Sequence, residues 1–525
     1  MKRLLAVSAI LLLGVTAAVR DRTTVRAPYV PVAVLCANES NTLCSIVPAY
    51  IGTDSSLKRA LDYGGIFGKA PTSSATDVET PFDNMAWQMF VALNWAANAT
   101  TQPPAKGLTA AGPRVWENFK RISALFGNSP KIANCANPSN LTVFSIGSNG
   151  KGKPAPNNEE FFQASTDLPL IDVNGNWTVY ERRVNDIEAN YLQAPDGKRS
   201  QTLTTIAGQD TFVKYNPAGA QFTASATTPT GANGSIEVKT SWRIMNANAG
   251  DDTTRYFTER AILAVAGDLV VTNQPICATV TLGLVGMHII QRNPPNAVNA
   301  NLKPQWIWAT FEHVDNAPLA KSPCSVVSAC SPRANWMNQP SCGAAAPSTS
   351  TRYSYFNKSA NVAGTNIIPV SNKADKRFVW SAAQPYANGA TTPASALPQV
   401  SRCWAPYPLT AQINRQWQKA LASVQTPFRN YALIGTQWGA AVTRQTTNPV
   451  PTDAVPGMLS NVTLETYIQN FTLSDTGHRG PGSCISCHNF ATLAVGGRDK
   501  ATADFSFLPG LAQPSTARAA IKSIR

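Results

Sequence analysis

Charge is scarce in this 525-residue sequence: 14% of residues are Asp, Glu, Lys or Arg, and there are only four His and seven Met. So few histidines leave little choice for metal or acid–base chemistry near neutral pH. No second long apolar run follows the N-terminus, which excludes a bundle of membrane-spanning helices. Blocks of like charge are missing too. The formal net charge of +14 is therefore scattered, and it favours acidic partners or surfaces without indicating nucleic acid. There is no phosphate-cradling Gly loop, no serine nucleophile elbow, no paired metal motif and no fixed-period repeat. Aromatics, by contrast, are plentiful. The 12 Trp, 13 Tyr and 19 Phe can fill a large core, which excludes disorder along the whole length.

Lys2 and Arg3 precede an apolar stretch at 4–18 that closes on Thr16-Ala17-Ala18. A basic start, a short apolar run and small residues at its end read as a signal peptide cleaved near Ala18. An uncleaved anchor is the alternative, but the run is shorter than the roughly 20 residues of a spanning helix. No Cys follows closely enough for lipidation. The expected location is periplasmic or secreted, with no stable membrane span after cleavage.

The ten cysteines are then read in an oxidising compartment. Two, Cys484 and Cys487, belong to a motif treated below. The other eight are Cys36, Cys44, Cys135, Cys277, Cys324, Cys330, Cys342 and Cys403, an even number that fits up to four disulfides. The nearest pairs in sequence, Cys36 with Cys44 and Cys324 with Cys330, are the first expectation; buried free thiols are the blander one.

Polar Pro/Gly/Ser/Thr-rich stretches at 100–113, 147–158, 216–235, 343–351 and 386–398 read as surface loops. Between them the apolar period alternates between helix and strand. Met85, Trp87, Met89, Phe90, Leu93 and Trp95 predict an apolar helix face over 83–97 after Pro81, and a second short helix follows over 115–126. Residues 168–184 predict two strands around Val173-Asn174-Gly175-Asn176, with a type I′ turn at Asn-Gly. Ile236, Val238, Thr240, Trp242 and Ile244 alternate as a strand. Strands are also expected within 256–290, at 305–313 and at 431–438, and helices at 409–424 and 464–471. The fold class is α+β, with a β-rich central body and peripheral helices.

Residues 484–488 read Cys484-Ile485-Ser486-Cys487-His488, or C-x-x-C-H. With this composition a chance occurrence is expected about 0.001 to 0.002 times per chain. Two thiols at this spacing can form thioethers to the two vinyl groups on one porphyrin edge, and the next imidazole is then held beneath the iron. The motif resembles the haem-attachment site of c-type cytochromes. The resemblance covers the motif and its short surroundings, not the whole chain. It implies one covalently bound haem c, with Cys484 and Cys487 as the thioether positions and His488 as the proximal ligand. A helical turn over 487–493, stopped at Gly496-Gly497, is expected to set this geometry. Two competitors are weaker. A thioredoxin-like C-x-x-C follows a hydrophobic strand, whereas Gly477-His478-Arg479-Gly480-Pro481-Gly482 precedes this one. A zinc site of His478, Cys484, Cys487 and His488 would need adjacent Cys487 and His488 to point at one tetrahedral ion.

The residues after His488 contain neither Met nor His, so a sixth iron ligand is sought upstream. Met458 and His478 lead as possible distal ligands; for Met458 ordinary core packing is the commoner fate. Gly286-Met287-His288 and Phe311-Glu312-His313-Val314-Asp315 concentrate polar groups in apolar surroundings. Glu312 and His313 are strand neighbours and must point to opposite faces, one able to meet haem or substrate while the other supports the structure. His313, Glu312 and His288 are thus the candidate catalytic residues, against a structural role for each histidine. Near the C-terminus Arg479, Arg498, Lys500, Arg518, Lys522 and Arg525 outnumber Asp499 and Asp504. They suit haem propionates or an acidic partner, although solvated surface charge is commoner.

The chain therefore divides into a signal peptide at 1–18, a large α+β body at 19–450 and a short helical, cytochrome c-like segment at 451–525 packed on that body. A one-haem carrier needs only about a hundred residues, so a body of more than 400 residues implies a further job. The expected function is electron transfer in a periplasmic oxidoreductase pathway, with an acidic redox partner protein. The alternatives are a haem-dependent oxidoreductase with an open distal site for a small-molecule substrate (peroxide, oxygen or a small nitrogen compound), or a non-catalytic haem-containing binding protein.

Overall fold

Alternation of apolar and polar residues along Ile236–Ile244 and Gln305–His313 gives each strand two differently dressed faces, and both faces become covered. The computed structural model describes residues 43–49, 76–98, 104–127, 132, 135–137, 139–147, 160–163, 168–226, 231–293, 305–324, 352–359, 365–366, 378–387, 399–438, 459–469, 484–488, 491–495 and 501–512. In chain order the elements are helix α1 (Thr76–Leu93), helix α2 (Pro104–Thr109), strand β1 (Lys120–Arg121), helix α3 (Ile122–Phe126), strand β2 (Thr142–Ile146) and strand β3 (Val179–Val184). Helices α4 (Asp186–Gln193) and α5 (Ile206–Tyr215) follow, then strands β4 (Ile236–Ile244), β5 (Thr258–Val265), β6 (Ile276–Asn293), β7 (Gln305–His313), β8 (Leu319–Cys324) and β9 (Arg402–Trp404). Helix α6 (Pro408–Ser423), strand β10 (Tyr431–Trp438) and helix α7 (Cys484–His488) complete them.

Among the described residues, eight strands form one sheet. Its order runs β1-β3-β4-β6, and the 18-residue β6 then serves two neighbours along its length. Residues 276–283 pair with β5, which pairs with β2, while residues 286–293 pair with β7, which pairs with β10. All these pairings are antiparallel except β2 with β5. The fold class is α+β, as the alternating periods predict.

One sheet face carries Met287 and Ile289 of β6 with Ile307, Ala309 and Phe311 of β7, and α1 and α6 cover it. The aromatic residues of α1 point there as expected: Phe90 stacks on Phe311 with centroids 4.3 Å apart, and Trp87 meets Phe311 edge-on at 5.0 Å. Their polar tips are satisfied across the helix pair, with Trp87 Nε1 donating to Asn414 and Trp417 Nε1 to Asn84, both at 2.9 Å. Buried indole N–H groups need such partners. The other face carries Val184, Ile290, Trp306 and Trp308, and it is covered by α3, α4, α5, Ile485 and residues of 491–495 and 501–511.

Several elements depart from expectation. α1 begins at Thr76, so Pro81 lies inside it, and it stops at Leu93 instead of 97. The helix expected over 115–126 breaks into a 3₁₀ turn, the two-residue strand β1 and α3. Pairing of Arg121 with Arg183 on β3, together with ion pairs from Arg121 to Glu160 and Glu181 at 3.0 and 2.9 Å, overrides helix continuity there. At 172–176 the loop has three residues and only its third, Gly175, is left-handed (φ +73°) among the residues so recorded. Asp172 reshapes that turn by accepting from the N–H groups of Asn174 and Asn176, at 3.0 and 2.8 Å. Of the helix expected at 464–471, the described residues 464–469 form only a 3₁₀ turn, Thr466–Ile468. The loop at 100–113 contains α2.

The described disulfide joins Cys135 to Cys277, 142 residues apart, a pairing that proximity in sequence does not suggest. Cys44 and Cys403 are also disulfide-bonded. Cys36 and Cys330, and with them the two pairings expected first, lie outside the described residues, as does the expected signal peptide. Among the described residues no helix is long and apolar enough to cross a membrane.

Candidate functional site at the Cys-x-x-Cys-His turn

The motif forms α7, one short turn lying on the second sheet face. The helical turn is described at 484–488, and residues 491–493 are not helical as expected but pair with 501–503, Leu493 N–H donating to Ala501 O and Ala503 N–H to Ala491 O, both at 3.0 Å; the expected stop at Gly496-Gly497 lies outside the described residues. Ile485, 1% exposed, anchors the turn in the apolar layer, and its N–H donates to Gln437 of β10 at 2.9 Å. Cys484 and Cys487 are free thiols. Burial, helped by repulsion from Glu465, pushes Cys484 well above its ordinary value and Cys487 up to about 12, so both are protonated.

His488 is held on three sides. Its ring lies 5.9 Å from Trp308 of β7 and 5.0 Å from Phe507, centroid to centroid. Its Nδ1 is 2.6 Å from the main-chain oxygen of Phe505. A carbonyl only accepts, so Nδ1 carries the proton and Nε2 keeps a lone pair for a metal. Ligating histidines are commonly fixed by such a bond from their other nitrogen. Burial takes the His488 imidazole down to about 4; the Phe505 carbonyl opposes this, while His288 and Lys239 add to it.

The carbonyl that accepts this hydrogen bond belongs to a strained turn. Asp504 and Phe505 have φ of +50° and +68°, a region that non-glycine residues occupy only when neighbours impose it. Asp504 supplies the constraint. Its carboxylate pairs with Arg292 at 3.0 Å and accepts from Phe222 N–H at 2.9 Å, and its carbonyl accepts from Trp306 Nε1 at 2.7 Å. Nothing in the local sequence signals this role of Asp504.

The fates of the other candidates differ. His288 sits on β6 facing the motif side, with Nε2 3.4 Å from Oε2 of Glu465. Burial alone would raise Glu465, but His288, Lys239 and the Asn461 N–H outweigh it and hold the carboxyl below its ordinary range. His313 lies on the opposite face of β7, with Nε2 3.0 Å from Arg255 O and Nδ1 accepting from Asp315 N–H at 3.2 Å. Tyr256 stacks on its ring at 3.9 Å. Both nitrogens are thereby committed to main chain. Glu312, 1% exposed, is gripped by both Nη atoms of Arg402 and accepts from Val462 N–H at 2.8 Å. These are supporting roles, and the structure does not bring His313 to the motif. Met458 and His478 lie outside the described residues, as do Arg479, Arg498, Lys500, Arg518, Lys522 and Arg525.

Among the described residues no group of three or more His, Cys, Asp or Glu side chains is arranged to hold a bare metal ion. A separate cleft of about 360 Å³ near His313 is lined by Arg243, Asp251, Arg255, Asp315 and Arg352. Its charges pair internally: Arg243 meets Asp172 at 2.6 Å and Asp251 at 2.8 Å, and Arg255 meets Asp315 at 2.7 Å. Comparison with protein-family models, curated proteins and solved structures found no match to this chain. Chemistry at the site therefore has to be read from the site itself.

Proposed function

We propose that this is an exported haem protein in which one haem c is joined to Cys484 and Cys487 and ligated by Nε2 of His488. It serves electron transfer in an oxidoreductase pathway outside the cytoplasm. The observation that carries this reading is the 2.6 Å contact between His488 Nδ1 and Phe505 O, which aims a lone pair away from the main chain beside two free thiols of the same turn. The donor set fits the group: two protonated thiols for thioether formation and one neutral imidazole for iron.

When bound, the haem supplies a one-electron couple. The chain's own residues tune and guard it. Phe505 O accepts from Nδ1–H and so raises the basicity of Nε2. Trp308 and Phe505 wall the turn off from water, whereas Phe507, 41% exposed beside His488, marks where a redox partner approaches. The surplus of basic residues steers an acidic partner to it. The signal-like residues 1–18 support a periplasmic or secreted location.

The test is expression of the full chain with a functioning cytochrome c maturation system, then denaturing electrophoresis with haem staining and a pyridine haemochrome spectrum. Covalent haem in the wild type, its loss in the double variant C484S/C487S, and a perturbed iron spectrum in H488A are expected. A wild-type chain that carries no haem through denaturation would remove the proposal.

A further inference from the structure

Two edges of the large sheet meet in space. β1 and β2 stand at opposite ends of the strand path β1-β3-β4-β6-β5-β2, and no ladder joins them among the described residues. Side chains join them instead. Arg121 of β1 donates from Nη1 to the main-chain oxygen of Val143 in β2 at 2.6 Å, and its guanidinium lies 5.3 Å over the Phe144 ring. Glu160, whose main-chain oxygen accepts from Tyr180 N–H of β3 at 2.9 Å, reaches across to accept from Ser145 N–H of β2 at 2.7 Å. The curled sheet is thereby closed along a seam that lacks the cooperative ladder of its neighbours.

Four carboxyls and three guanidiniums pack at this seam. Glu181 of β3 is 2% exposed and meets Arg121 Nε at 2.9 Å and Arg183 Nη2 at 2.8 Å, while Glu160 meets Arg121 Nη2 at 3.0 Å. Arg121 and Arg183 are thus committed to Glu160 and Glu181. The Arg114 N–H donates to Glu117 Oε2, but its guanidinium lies 5.1 Å over Phe257 and donates to Ala110 O at 3.0 Å. That leaves Glu117, on the 3₁₀ turn Val115–Asn118, and Glu259 of β5, whose carboxyls hydrogen-bond each other. Arg183 attracts both of them while it grips Glu181. Glu259 Oε2 is buried and lacks a hydrogen-bond donor among the described residues. Two carboxyls can hydrogen-bond only when one of them keeps a proton. The count agrees, since four carboxyls against three guanidiniums leave one negative charge unbalanced.

We propose that the seam is a proton-operated latch: one proton shared by Glu117 and Glu259 holds it shut, and loss of that proton loosens β2 from β1. No residue of the seam belongs to the Cys-x-x-Cys-His turn, so the latch is independent of the haem attachment. Once deprotonated, the pair faces Glu181 as a third carboxylate, and the repulsion falls on an edge held by side chains alone. Burial, reinforced by Glu181 and Glu117, raises Glu259 to about 8; burial also raises Glu160 to about 7, against the pull of Arg121 and the Ser145 N–H. A carboxyl raised in the closed state holds a proton that the opened state releases. Closure is therefore strongest below an ordinary 4.5 and weakens as pH rises through 7 to 8.

The test follows amide hydrogen exchange of the full chain by mass spectrometry from about pH 6 to about pH 9, corrected for the intrinsic pH dependence of exchange. Protection of peptides covering 142–146 and 115–121 should fall by about tenfold or more as pH rises, while peptides from α1 and α6 keep theirs. Glu259→Gln cannot ionise and still donates to Glu117, so it should hold the seam at its protected level across the range. Glu117→Gln should do the same, and it carries the test if the first variant fails to accumulate. Wild-type protection of 142–146 that stays constant with pH overturns the latch. A fall of equal size in wild type and in both variants overturns it too, because the proton that matters then sits elsewhere. So does an equal fall in α1 and α6, since the whole fold and not the seam then answers to pH.

Discussion

Trp306 Nε1 donates to the main-chain oxygen of Asp504 at 2.7 Å, so the strand that contributes Trp308 to the wall also pins the turn whose next carbonyl holds His488. Trp306 and Trp308 lie two residues apart on the same face of β7. One strand thereby positions both the ring beside the imidazole and the oxygen that accepts from its Nδ1.

Trp306→Phe keeps an aromatic ring in the layer and deletes the donor. The expected loss is about 1–2 kcal/mol of unfolding free energy in urea. The freed turn should also loosen the Nδ1 contact, making His488 a poorer donor and raising the midpoint potential of the proposed haem. A potential equal to or below that of the wild type would contradict this chain of support.

Burial pushes His313 from an ordinary 6.5 down to about 4. Its neutral form is thus favoured in the folded state, so its contribution is fully present above pH 6.5. As pH falls from 6.5 to 4 the unfolded chain takes up a proton that the folded chain refuses, and stability drops by up to about 3 kcal/mol. His313→Gln should flatten that part of the stability–pH curve relative to wild type while leaving the haem spectrum unchanged. A changed haem spectrum would instead put His313 at the site.

Arg402 neutralises Glu312, which is 1% exposed. Arg402→Met strands that carboxylate, and denaturant unfolding should show a loss of about 3–5 kcal/mol. The double variant E312L/R402M should regain much of it, because a vacated pair is tolerated better than a single buried charge. A loss below about 1 kcal/mol in R402M would mean that the pair is not sequestered from water.

The Cys135–Cys277 bridge closes a 142-residue loop. Removing it with C135S/C277S should lower stability by about 4–5 kcal/mol, on the chain-entropy view of cross-links. Equal midpoints for the two proteins under non-reducing conditions would show that the unfolded chain gains no freedom from its loss.

Much of the scaffold is legible in the order of residues alone. β4 and β7 match the alternating segments at 236–244 and 305–313 residue for residue, β10 matches the strand expected at 431–438, and α6 is displaced by one residue from 409–424. Long, strongly periodic segments carry their own burial pattern. The failures have a different character. The helix expected at 115–126 loses to β1 because Arg121 finds Glu160 and Glu181, 39 and 60 residues away in sequence. The turn at 172–176 follows an aspartate side chain more than its Asn-Gly pair. Asp504 meets Arg292 and Glu465 meets His288, partners far off in the chain, and no local spacing reports them.

The proposed attachment chemistry is local: thiols three residues apart on one turn, followed by an imidazole, keep their relation wherever that turn is placed, so five consecutive letters are enough to propose it. Which histidine looks toward that turn is not local. His288 and His313 sit in equally apolar strands with equally polar neighbours, and nothing in either segment ranks them. The choice falls to register and parity. Gly286 pairs with Glu312, so His288 shares the face of Trp308 and Glu312, while His313, one residue past Glu312, must turn the other way.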